Sequence, residues 1–364
     1  MTTTSDITLI GGGVIGLLTA REFVKAGATV TVLEKNQLGQ ESSWAGGGIL
    51  LPLYPWRQAD AISRLVLQSL RLYPTLAAEL IADTGLDPEW TPCGLLITQN
   101  PDLSAATTWC ADNNIRYQAA DAAMFKNLEA RPEQPIWLPD IAQARNPRLV
   151  KALKQDLINK GVNLVEQCAV QGIRRSHSTI TSLETAKGVF AVKQVVISAG
   201  AWTGQLYSQL FPGLGATAPA VAPVKGQMLL FDAAPGTLQT MVLEGDHYLI
   251  PRRDGKILAG STVEHEAFNK TTTAEAQQRL SVFAKTLLPA LKNAPLLAHW
   301  AGLRPGTEQG VPYIARHPDI DNLSINAGHF RNGLVMGPAS AQLMADLILN
   351  RPTQVAPEPY QLNR

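Results

Sequence analysis

A glycine-rich turn between an apolar strand and a helix, within the first forty residues, is the feature that most constrains how this chain folds. Residues 7–10 are apolar and β-branched, as in a buried parallel strand, and residues 14–25 carry apolar side chains at helical spacing. Residues 29–33 form a second strand-like run, and Glu34 follows it. Strand, turn, helix and strand together predict a βαβ unit with a parallel sheet.

The turn reads Gly-Gly-Gly-Val-Ile-Gly, so Gly11, Gly13 and Gly16 occupy the glycine positions of a GxGxxG motif. The first glycine allows the tight turn, the second lets the backbone approach a pyrophosphate, and the third lets the helix pack closely on the strand. The helix N-terminus then offers N–H groups and a positive dipole end to the anion. The carboxylate of Glu34 is placed to accept hydrogen bonds from both ribose hydroxyls, and it would repel a 2′-phosphate. The motif therefore predicts a site for NAD or FAD rather than NADP.

Three further segments bear on the choice between NAD and FAD, which both bind to this kind of unit. Ser42 and Ser43, followed by three glycines at residues 46–48, can bring hydroxyls and bare backbone to a pyrophosphate and a flavin. Residues 198–200 close a strand at a glycine, where backbone can pass close to a cofactor. The N–H groups of residues 328–333 could face the flavin pyrimidine, where negative charge gathers on reduction. Each segment alone could be a plain turn, but together they favour a flavin.

The length of 364 residues exceeds the size at which a single core usually stops growing, so we expect two domains. The predicted fold class is α/β, with a Rossmann-like FAD-binding domain and a sheet-rich α+β domain for the substrate. Changes in composition predict a discontinuous FAD-binding domain of residues 1–84, 146–221 and 298–364. Residues 85–145 and 222–297 are predicted to form the substrate-binding domain. The last helix is predicted over residues 338–349.

Composition bears on several classes of function. The net charge of +1 and the pI of about 7.7 argue against an electrostatic grip on nucleic acid or on an anionic membrane. The three cysteines form no CxxC pair and the six histidines no HExxH motif, so we expect neither a disulfide framework nor a metal site. The start of the chain lacks the pattern of a signal peptide, and the apolar run at residues 7–18 is too short to span a bilayer. We therefore expect a cytoplasmic protein.

Several motifs resemble one family. Residues 7–16, the strand end at Glu34 and Lys35, and the loop of residues 42–50 resemble the FAD-binding N-terminus of the glycine oxidase and D-amino-acid oxidase family. Two patterns are more specific. Trp-Ala-Gly-Leu-Arg-Pro at residues 300–305 and Gly-His-Phe-Arg-Asn-Gly at residues 328–333 resemble the bacterial glycine oxidases of the thiamine pathway. The resemblance runs in order over nearly the whole chain and is weakest between residues 85 and 145.

The resemblance implies a set of site residues. Arg304 would hold the substrate carboxylate, with Tyr248 beside it and Arg331 nearby. No side chain is implied to be catalytic, because the flavin performs the redox step. The implied cofactor-binding residues are Gly11, Gly13, Val14, Ile15, Gly16, Glu34, Lys35, Ser42, Ser43, Gly47, Gly48, Ile49, Val170, His329, Phe330, Arg331, Asn332, Gly333, Leu334 and Val335.

The resemblance also bears on how FAD is held and how the chain assembles. Related sarcosine oxidases tether flavin to a late cysteine, and this chain has no cysteine after Cys168, so non-covalent FAD is implied. The family's glycine oxidases are tetramers, which implies a homotetramer. Residues 46–48 are more glycine-rich than is usual in the family, which leaves the backbone path of this loop open.

Without the resemblance, the substrate residues have ordinary interpretations. A lone arginine such as Arg304 is usually a solvated surface charge, and a tyrosine in an apolar stretch such as Tyr248 usually belongs to a core. Arg331 could pair with a surface acid, and His329 could pack near the flavin without acting as a base. Arginine nevertheless suits the anchoring task, because its planar fork matches a carboxylate with two hydrogen bonds.

The sequence thus predicts an FAD-dependent oxidase that converts glycine, oxygen and water into glyoxylate, ammonia and hydrogen peroxide. Sarcosine and small D-amino acids such as D-alanine are alternative substrates. A D-amino-acid or sarcosine oxidase is the nearest alternative enzyme, and a dehydrogenase that uses a quinone acceptor is another. A cofactor-binding module without oxidase activity, such as a regulator or a tRNA-binding flavoprotein, represents a different class of function.

Overall fold

The computed structural model describes residues 4–100, 102–130, 132–214 and 217–364. Within these ranges the chain forms two large sheets, two small sheets and eight α-helices. The helices are α1 Val14–Lys25, α2 Ser42–Ala45, α3 Asp60–Thr84, α4 Leu103–Asp112, α5 Asn146–Asn159, α6 Thr203–Leu210, α7 Ala274–Leu287 and α8 Gly333–Ile348.

The first large sheet has six strands in the order β18-β19-β12-β1-β2-β8. Its members are β1 Ile7–Ile10, β2 Val30–Leu33, β8 Asn163–Val165, β12 Gln194–Ile197, β18 Tyr313–Arg316 and β19 Leu323–Ala327. All pairs are parallel except β18 with β19. The residues of β1 and β2 are buried throughout, as expected for parallel strands covered on both faces. The predicted βαβ unit is therefore present, with helix α1 between β1 and β2.

The second large sheet has eight strands in the order β17-β13-β16-β15-β14-β4-β6-β5. Its members are β4 Leu95–Ile97, β5 Gln118–Ala119, β6 Ile136–Leu138, β13 Ala222–Phe231, β14 Met241–Glu244, β15 His247–Pro251, β16 Ile257–Gly260 and β17 Leu296–Gly306. The small sheets contain β9 Val170–Ser176, β10 Thr179–Thr185 and β11 Gly188–Ala191, and β3 Thr91–Pro92 with β7 Ala142–Gln143.

Strand β17 does not follow the predicted domain boundary. The boundary at residue 298 falls inside this strand, which pairs with β13 from Leu296 to Gly306 and so belongs to the eight-stranded sheet. The physical reason is the long antiparallel partner β13, whose ladder carries β17 past the point where the composition changes. We propose that the second domain extends to Gly306, and the other predicted boundaries stay a prediction.

Helix α8 begins five residues before its predicted start. The predicted helix starts at Pro338, a residue that lacks the N–H which an interior helix position donates. The helix instead begins at Gly333, and Pro338 lies inside it. The carbonyl of Leu334, which Pro338 cannot serve, accepts a hydrogen bond of 2.6 Å from the Tyr73 hydroxyl on α3. A neighbouring helix therefore satisfies the group that the proline leaves unpaired.

The main hydrophobic core joins helices α1, α3 and α8 to the parallel sheet. Phe23, Leu65 and Met336 are fully buried members of it. These helices pack on the face of the sheet and do not block the carboxyl ends of its parallel strands. In open α/β sheets a ligand usually binds at those ends.

Candidate active site

A cavity of about 410 Å³ is lined by residues of both large sheets. On one side lie the glycine turn after β1, the residues that follow β2 and the end of β12. On the other side lie residues of β13, β15 and β17. The segment of residues 326–334, which connects β19 to α8, also contributes to the wall.

Nearly all of the predicted site residues line this one cavity. The two exceptions are Gly16 and Val335. Val335 is 2% exposed and packs into the core instead. The predicted residues that line the cavity are Gly11, Gly13, Val14, Ile15, Glu34, Lys35, Ser42, Ser43, Gly47, Gly48, Ile49, Val170, Tyr248, Arg304, His329, Phe330, Arg331, Asn332, Gly333 and Leu334.

The position of Gly16 explains its place in the motif. A Cβ atom at Gly16 would lie 2.0 Å from the carbonyl oxygen of Gly11, closer than any side chain tolerates. The glycine thus lets α1 pack against the turn that follows β1, which is the role the motif assigns to it. Gly16 supports the cavity wall without reaching its surface.

Glu34 lies at the end of β2, and both of its carboxylate oxygens already accept backbone hydrogen bonds. Oε2 accepts from the N–H of Gly12 at 2.8 Å, and Oε1 accepts from the N–H of Asn36 at 2.9 Å. Each carboxylate oxygen retains acceptor capacity, so Glu34 can still bind hydroxyls. The contact with Gly12 also shows that Glu34 fixes the glycine turn itself.

Ser42 and Ser43 lie in the short helix α2, which opens the segment predicted as a loop, and they have different hydrogen-bond partners. The Ser43 oxygen accepts from the N–H of Val14 at 2.8 Å and so caps the start of α1, which leaves its own proton available toward the cavity. The Ser42 hydroxyl donates to the carbonyl of Leu303 in β17. Ser42 therefore links the segment of residues 42–50, called the cofactor loop below, to the second large sheet. The only hydrogen-bond donor of the Ser42 side chain is then not available to a phosphate.

Arg304 reaches the cavity from β17, and its neighbours are neutral. The guanidinium donates to the Ser261 hydroxyl at 2.7 Å and to the carbonyl of Thr262 at 3.0 Å. Gly226 on the paired strand makes this possible, because a Cβ there would lie 2.3 Å from Nη2 of Arg304. Among the residues that the structure describes, no carboxylate lies within 4.0 Å of this cation. Arg304 is therefore a positive charge without a counter-ion, beside a cavity.

Tyr248 lies next to Arg304. The Tyr248 side chain is 9% exposed, and its hydroxyl is 3.4 Å from Sδ of Met228. Burial lowers the pKa of Arg304, and the neighbouring Tyr248 opposes that shift. Arg331 is exposed, and no carboxylate of the described residues lies within 4.0 Å of it. The structure thus brings the three predicted substrate residues to one cavity.

Several residues that line the cavity were not predicted as site residues from the sequence. Met228 lies on β13 and Ser261 follows β16, so only the pairing of these strands with each other and with β17 brings them beside Arg304. Asn146 begins α5, and Trp202 lies under the ammonium group of Lys35, 3.3 Å from its ring centroid. Nonlocal pairing of this kind leaves no local signal in the sequence.

The cavity also presents polar atoms that suit a large polar ligand such as FAD. Ser198 Oγ, Asn146 Oδ1 and Asn326 Oδ1 are buried and have no hydrogen-bond partner in the protein. All three residues line the cavity. Buried polar atoms are rarely left unpaired, so these atoms point to a ligand that supplies partners. Together with the glycine turn, they fit the predicted FAD.

His329 is 1% exposed, and its Nε2 lies 3.0 Å from the Ser340 hydroxyl. Burial lowers the pKa of His329 from its usual value of 6.5 to about 3, because the imidazolium would lose its hydration. The ring is therefore neutral at physiological pH, as a packing role beside the cavity requires.

In the part of the chain that the structure describes, no helix is both long and apolar enough to cross a membrane. The same residues include no cluster of three or more His, Cys, Asp or Glu side chains arranged to hold a metal ion.

We predict that Gly16→Ala weakens FAD binding by roughly tenfold or more, because overpacking at a close backbone contact costs 1–3 kcal/mol and displaces the turn. Titration of the apoprotein with FAD measures the change. Gly172→Ala is the matched control, since its Cβ would meet only the flexible carboxylate end of Glu184. Equal FAD affinities for wild type and Gly16→Ala would show that the close contact has no bearing on the cofactor.

The lowered pKa of His329 leads us to predict that the free energy of unfolding depends on pH. Its folded-state pKa lies below the unfolded value, so its neutral form stabilises the fold above about pH 6.5, and that stability is lost progressively as the pH falls toward about 3. The variant His329→Asn cannot bind this proton. We expect it to have a lower Tm than wild type at neutral pH, with the gap narrowing as the medium is acidified. The exposed His265→Asn serves as control, and a gap that stays constant on acidification would contradict the assignment.

Comparison with known proteins agrees with this site. A family model described as FAD dependent oxidoreductase matches residues 6–347. The glycine oxidase of Pseudomonas putida is 44% identical over 362 residues, which are 98% of this chain and 97% of that protein. The bifunctional protein ThiO/ThiG of Synechocystis sp. is 33% identical over 96% of this chain and 52% of its own length.

A solved structure shows the same architecture. The crystal structure of glycine oxidase from Geobacillus kaustophilus matches with a TM-score of 0.92 at 31% identity, covering 100% of this chain and 99% of that chain. The predicted fold class and the predicted FAD cofactor are thereby confirmed. The chain is similar in sequence and fold to these glycine oxidases. It belongs to the family of FAD-dependent oxidoreductases.

Proposed function

We propose that this enzyme oxidises glycine to glyoxylate, ammonia and hydrogen peroxide. The observation that carries the proposal is Arg304, a cation with only neutral partners in a cavity that fits FAD. The substrate carboxylate would supply the missing counter-ion. The similarity to glycine oxidases along nearly the whole chain supports glycine as the amino acid.

We assign the cofactor side of the cavity to the residues around the glycine turn. The N-terminus of α1 and the Ser43 hydroxyl would bind the pyrophosphate, and Glu34 would bind the ribose. The segment of residues 329–334 would cradle the isoalloxazine, and Val170 would touch the adenine side. When bound, FAD would supply the redox chemistry by accepting a hydride from the substrate α-carbon at its N5.

The protein's part in this reaction is to bind and orient the substrate. The fork of Arg304 would hold the carboxylate with two hydrogen bonds, while Ser261 and the Thr262 carbonyl hold the fork. The Tyr248 hydroxyl, which donates to Sδ of Met228 at 3.4 Å, would turn its proton to the carboxylate as a third hydrogen bond, with Arg331 nearby. Fixing the carboxylate holds the α-carbon in place, and such orientation accounts for a large part of many enzymatic rate accelerations.

The walls beside Arg304 favour a small substrate. Met228 and Tyr248 are both at least nine-tenths buried, and their Sδ and hydroxyl atoms are 3.4 Å apart. A bulky α-substituent would have to displace one of these side chains. This arrangement supports glycine over larger amino acids, with sarcosine and D-alanine as secondary substrates.

Further parts of the proposal concern the setting of the reaction. We take oxygen as the electron acceptor, FAD as non-covalently bound, the assembly as a homotetramer and the location as cytoplasmic. The lack of any cysteine after Cys168 supports the non-covalent cofactor. Similarity to a protein named ThiO/ThiG supports a role in thiamine biosynthesis.

The direct test is peroxide release from the purified yellow protein, with glycine, sarcosine, D-alanine, D-proline and L-alanine compared side by side. The proposal expects the highest kcat/KM with glycine. Activity with only D-alanine or D-proline would make the protein a D-amino-acid oxidase. Flavin bleaching without peroxide would indicate a dehydrogenase with another acceptor.

We predict that Arg304→Met raises the KM for glycine by about 100-fold, because an unpaired substrate carboxylate in a desolvated site costs 2–5 kcal/mol. FAD should remain bound, since the cofactor contacts lie elsewhere in the cavity. Steady-state kinetics and the flavin absorbance measure both effects. The control is Arg64→Met, which removes an exposed arginine paired with Asp60. A normal KM in Arg304→Met would refute the anchoring role.

A further inference from the structure

The three-glycine segment at residues 46–48 is held from outside by hydrogen bonds to two of its own carbonyl groups and to that of the residue before it. The indole N–H of Trp300 donates to the carbonyl of Ala45 at 3.1 Å, and the N–H of Ala144 donates to that of Gly48 at 2.9 Å. Between them, Nη2 of Arg252 donates to the carbonyl of Gly47 at 2.7 Å. Glycine loses more conformational freedom on folding than any other residue, so a glycine run needs such contacts to keep one path.

Arg252 is an unusual residue to make such a contact, because it is 8% exposed and carries a charge. Its Nη1 donates to the Gln143 side-chain oxygen, and the Gln143 amide donates in turn to the carbonyl of Pro251 at 2.6 Å. Among the described residues, no carboxylate lies within 4.0 Å of Arg252. The cation therefore has only neutral acceptors.

The two acids whose charges act on Arg252, Glu89 and Asp254, are engaged elsewhere. Arg145 pairs with Glu89 at 3.2 Å and with Asp254 at 3.0 Å. Burial lowers the pKa of Arg252 to about 10, so the group stays protonated at neutral pH. A buried cation without a counter-ion costs stability, and such groups commonly mark functional sites.

The contacted peptide group lies at the proposed reaction site. Gly47 and Gly48 both line the cavity, and a Cβ at Gly47 would lie 3.2 Å from the Tyr248 ring. Gly48 is buried, and its N–H has no acceptor among the described residues. A cation on the Gly47 carbonyl polarises the Gly47–Gly48 peptide and strengthens that N–H as a donor, on a residue that lines the cavity.

We propose that Arg252 is a positioning residue for the cofactor loop, acting through the Gly47 carbonyl. It fixes the glycine run against Tyr248, and its charge, relayed through the Gly47–Gly48 peptide, favours negative charge on the flavin. The proposal rests on the FAD assignment but not on glycine as substrate. Its failure and the failure of the proposed function are therefore distinguishable by measurements that need no turnover.

The test compares three variants of the holoenzyme and of the apoprotein reconstituted with FAD. Arg252→Met removes charge and fork, and Arg252→Lys keeps the charge but loses the fork. Arg253→Met removes the same charge from the neighbouring position, where the side chain is exposed and paired with Asp87. Two quantities are measured: the Kd for FAD and the Kd for sulfite, an anion that adds to flavin N5 and reports how well the site stabilises negative charge there.

We expect Arg252→Met to raise both dissociation constants by roughly tenfold or more, as loss of a hydrogen bond to a charged group implies. Arg252→Lys should keep sulfite affinity near wild type while its FAD affinity falls, and Arg253→Met should change neither. Unaltered constants in a folded Arg252→Met protein, or equal changes in Arg253→Met, would overturn the proposal. If Arg252→Met does not fold, wild-type FAD affinity in Arg252→Lys overturns it instead.

Discussion

Positive charge without carboxylate partners is the physical constraint on which this site depends. Arg304 donates to a hydroxyl and to carbonyl groups, and Arg252 donates to a carbonyl and an amide oxygen. The N-terminus of α1 adds the positive end of a helix dipole. The acids of the cavity wall are already engaged, Glu34 by backbone N–H groups and Glu41 by Lys270 at 3.0 Å. A pyrophosphate, a reduced flavin and an amino-acid carboxylate are all anions, so each meets a complementary charge.

Each of the two large sheets positions some of these charged groups. The parallel sheet presents the glycine turn and the start of α1 at the carboxyl ends of its strands. The eight-stranded sheet carries Arg304 on β17, and Arg252 directly follows its strand β15. The long ladder between β13 and β17 places Arg304 next to Gly226. Contacts such as Ser42 with the Leu303 carbonyl and Arg252 with the Gly47 carbonyl then join the cofactor loop to the second sheet. The proposed cofactor and substrate positions would therefore be coupled through these hydrogen bonds.

The parts of this arrangement that could be predicted from sequence are local ones. The glycine turn, the apolar strands beside it and Glu34 lie within a single βαβ unit, where spacing alone determines geometry. The roles given to Arg304 and Tyr248 came from family resemblance, and the structure brings both to the cavity. Their contributions to binding stay a prediction.

What could not be predicted depends on nonlocal pairing. Met228 and Ser261 reach the cavity only because β13, β16 and β17 are neighbours. Strand β17 crosses the predicted domain boundary at residue 298 because it pairs with β13 along its length. Pro338 lies within α8, where the Tyr73 hydroxyl satisfies the Leu334 carbonyl that the proline leaves unpaired. Arg252 and Arg253 are adjacent, and nothing in the sequence around them indicates that Arg252 is buried and Arg253 exposed.

The central proposal is that the substrate carboxylate contributes more to binding at this site than the amine does. A matched pair of small ligands tests this most directly. Glycolate keeps the carboxylate of glycine and lacks the amine, whereas methylamine keeps the amine and lacks the carboxylate. Titration of the oxidised holoenzyme, followed by the flavin absorption spectrum, should show saturable binding of glycolate and little or none of methylamine. Methylamine binding as tightly as glycolate would contradict the account.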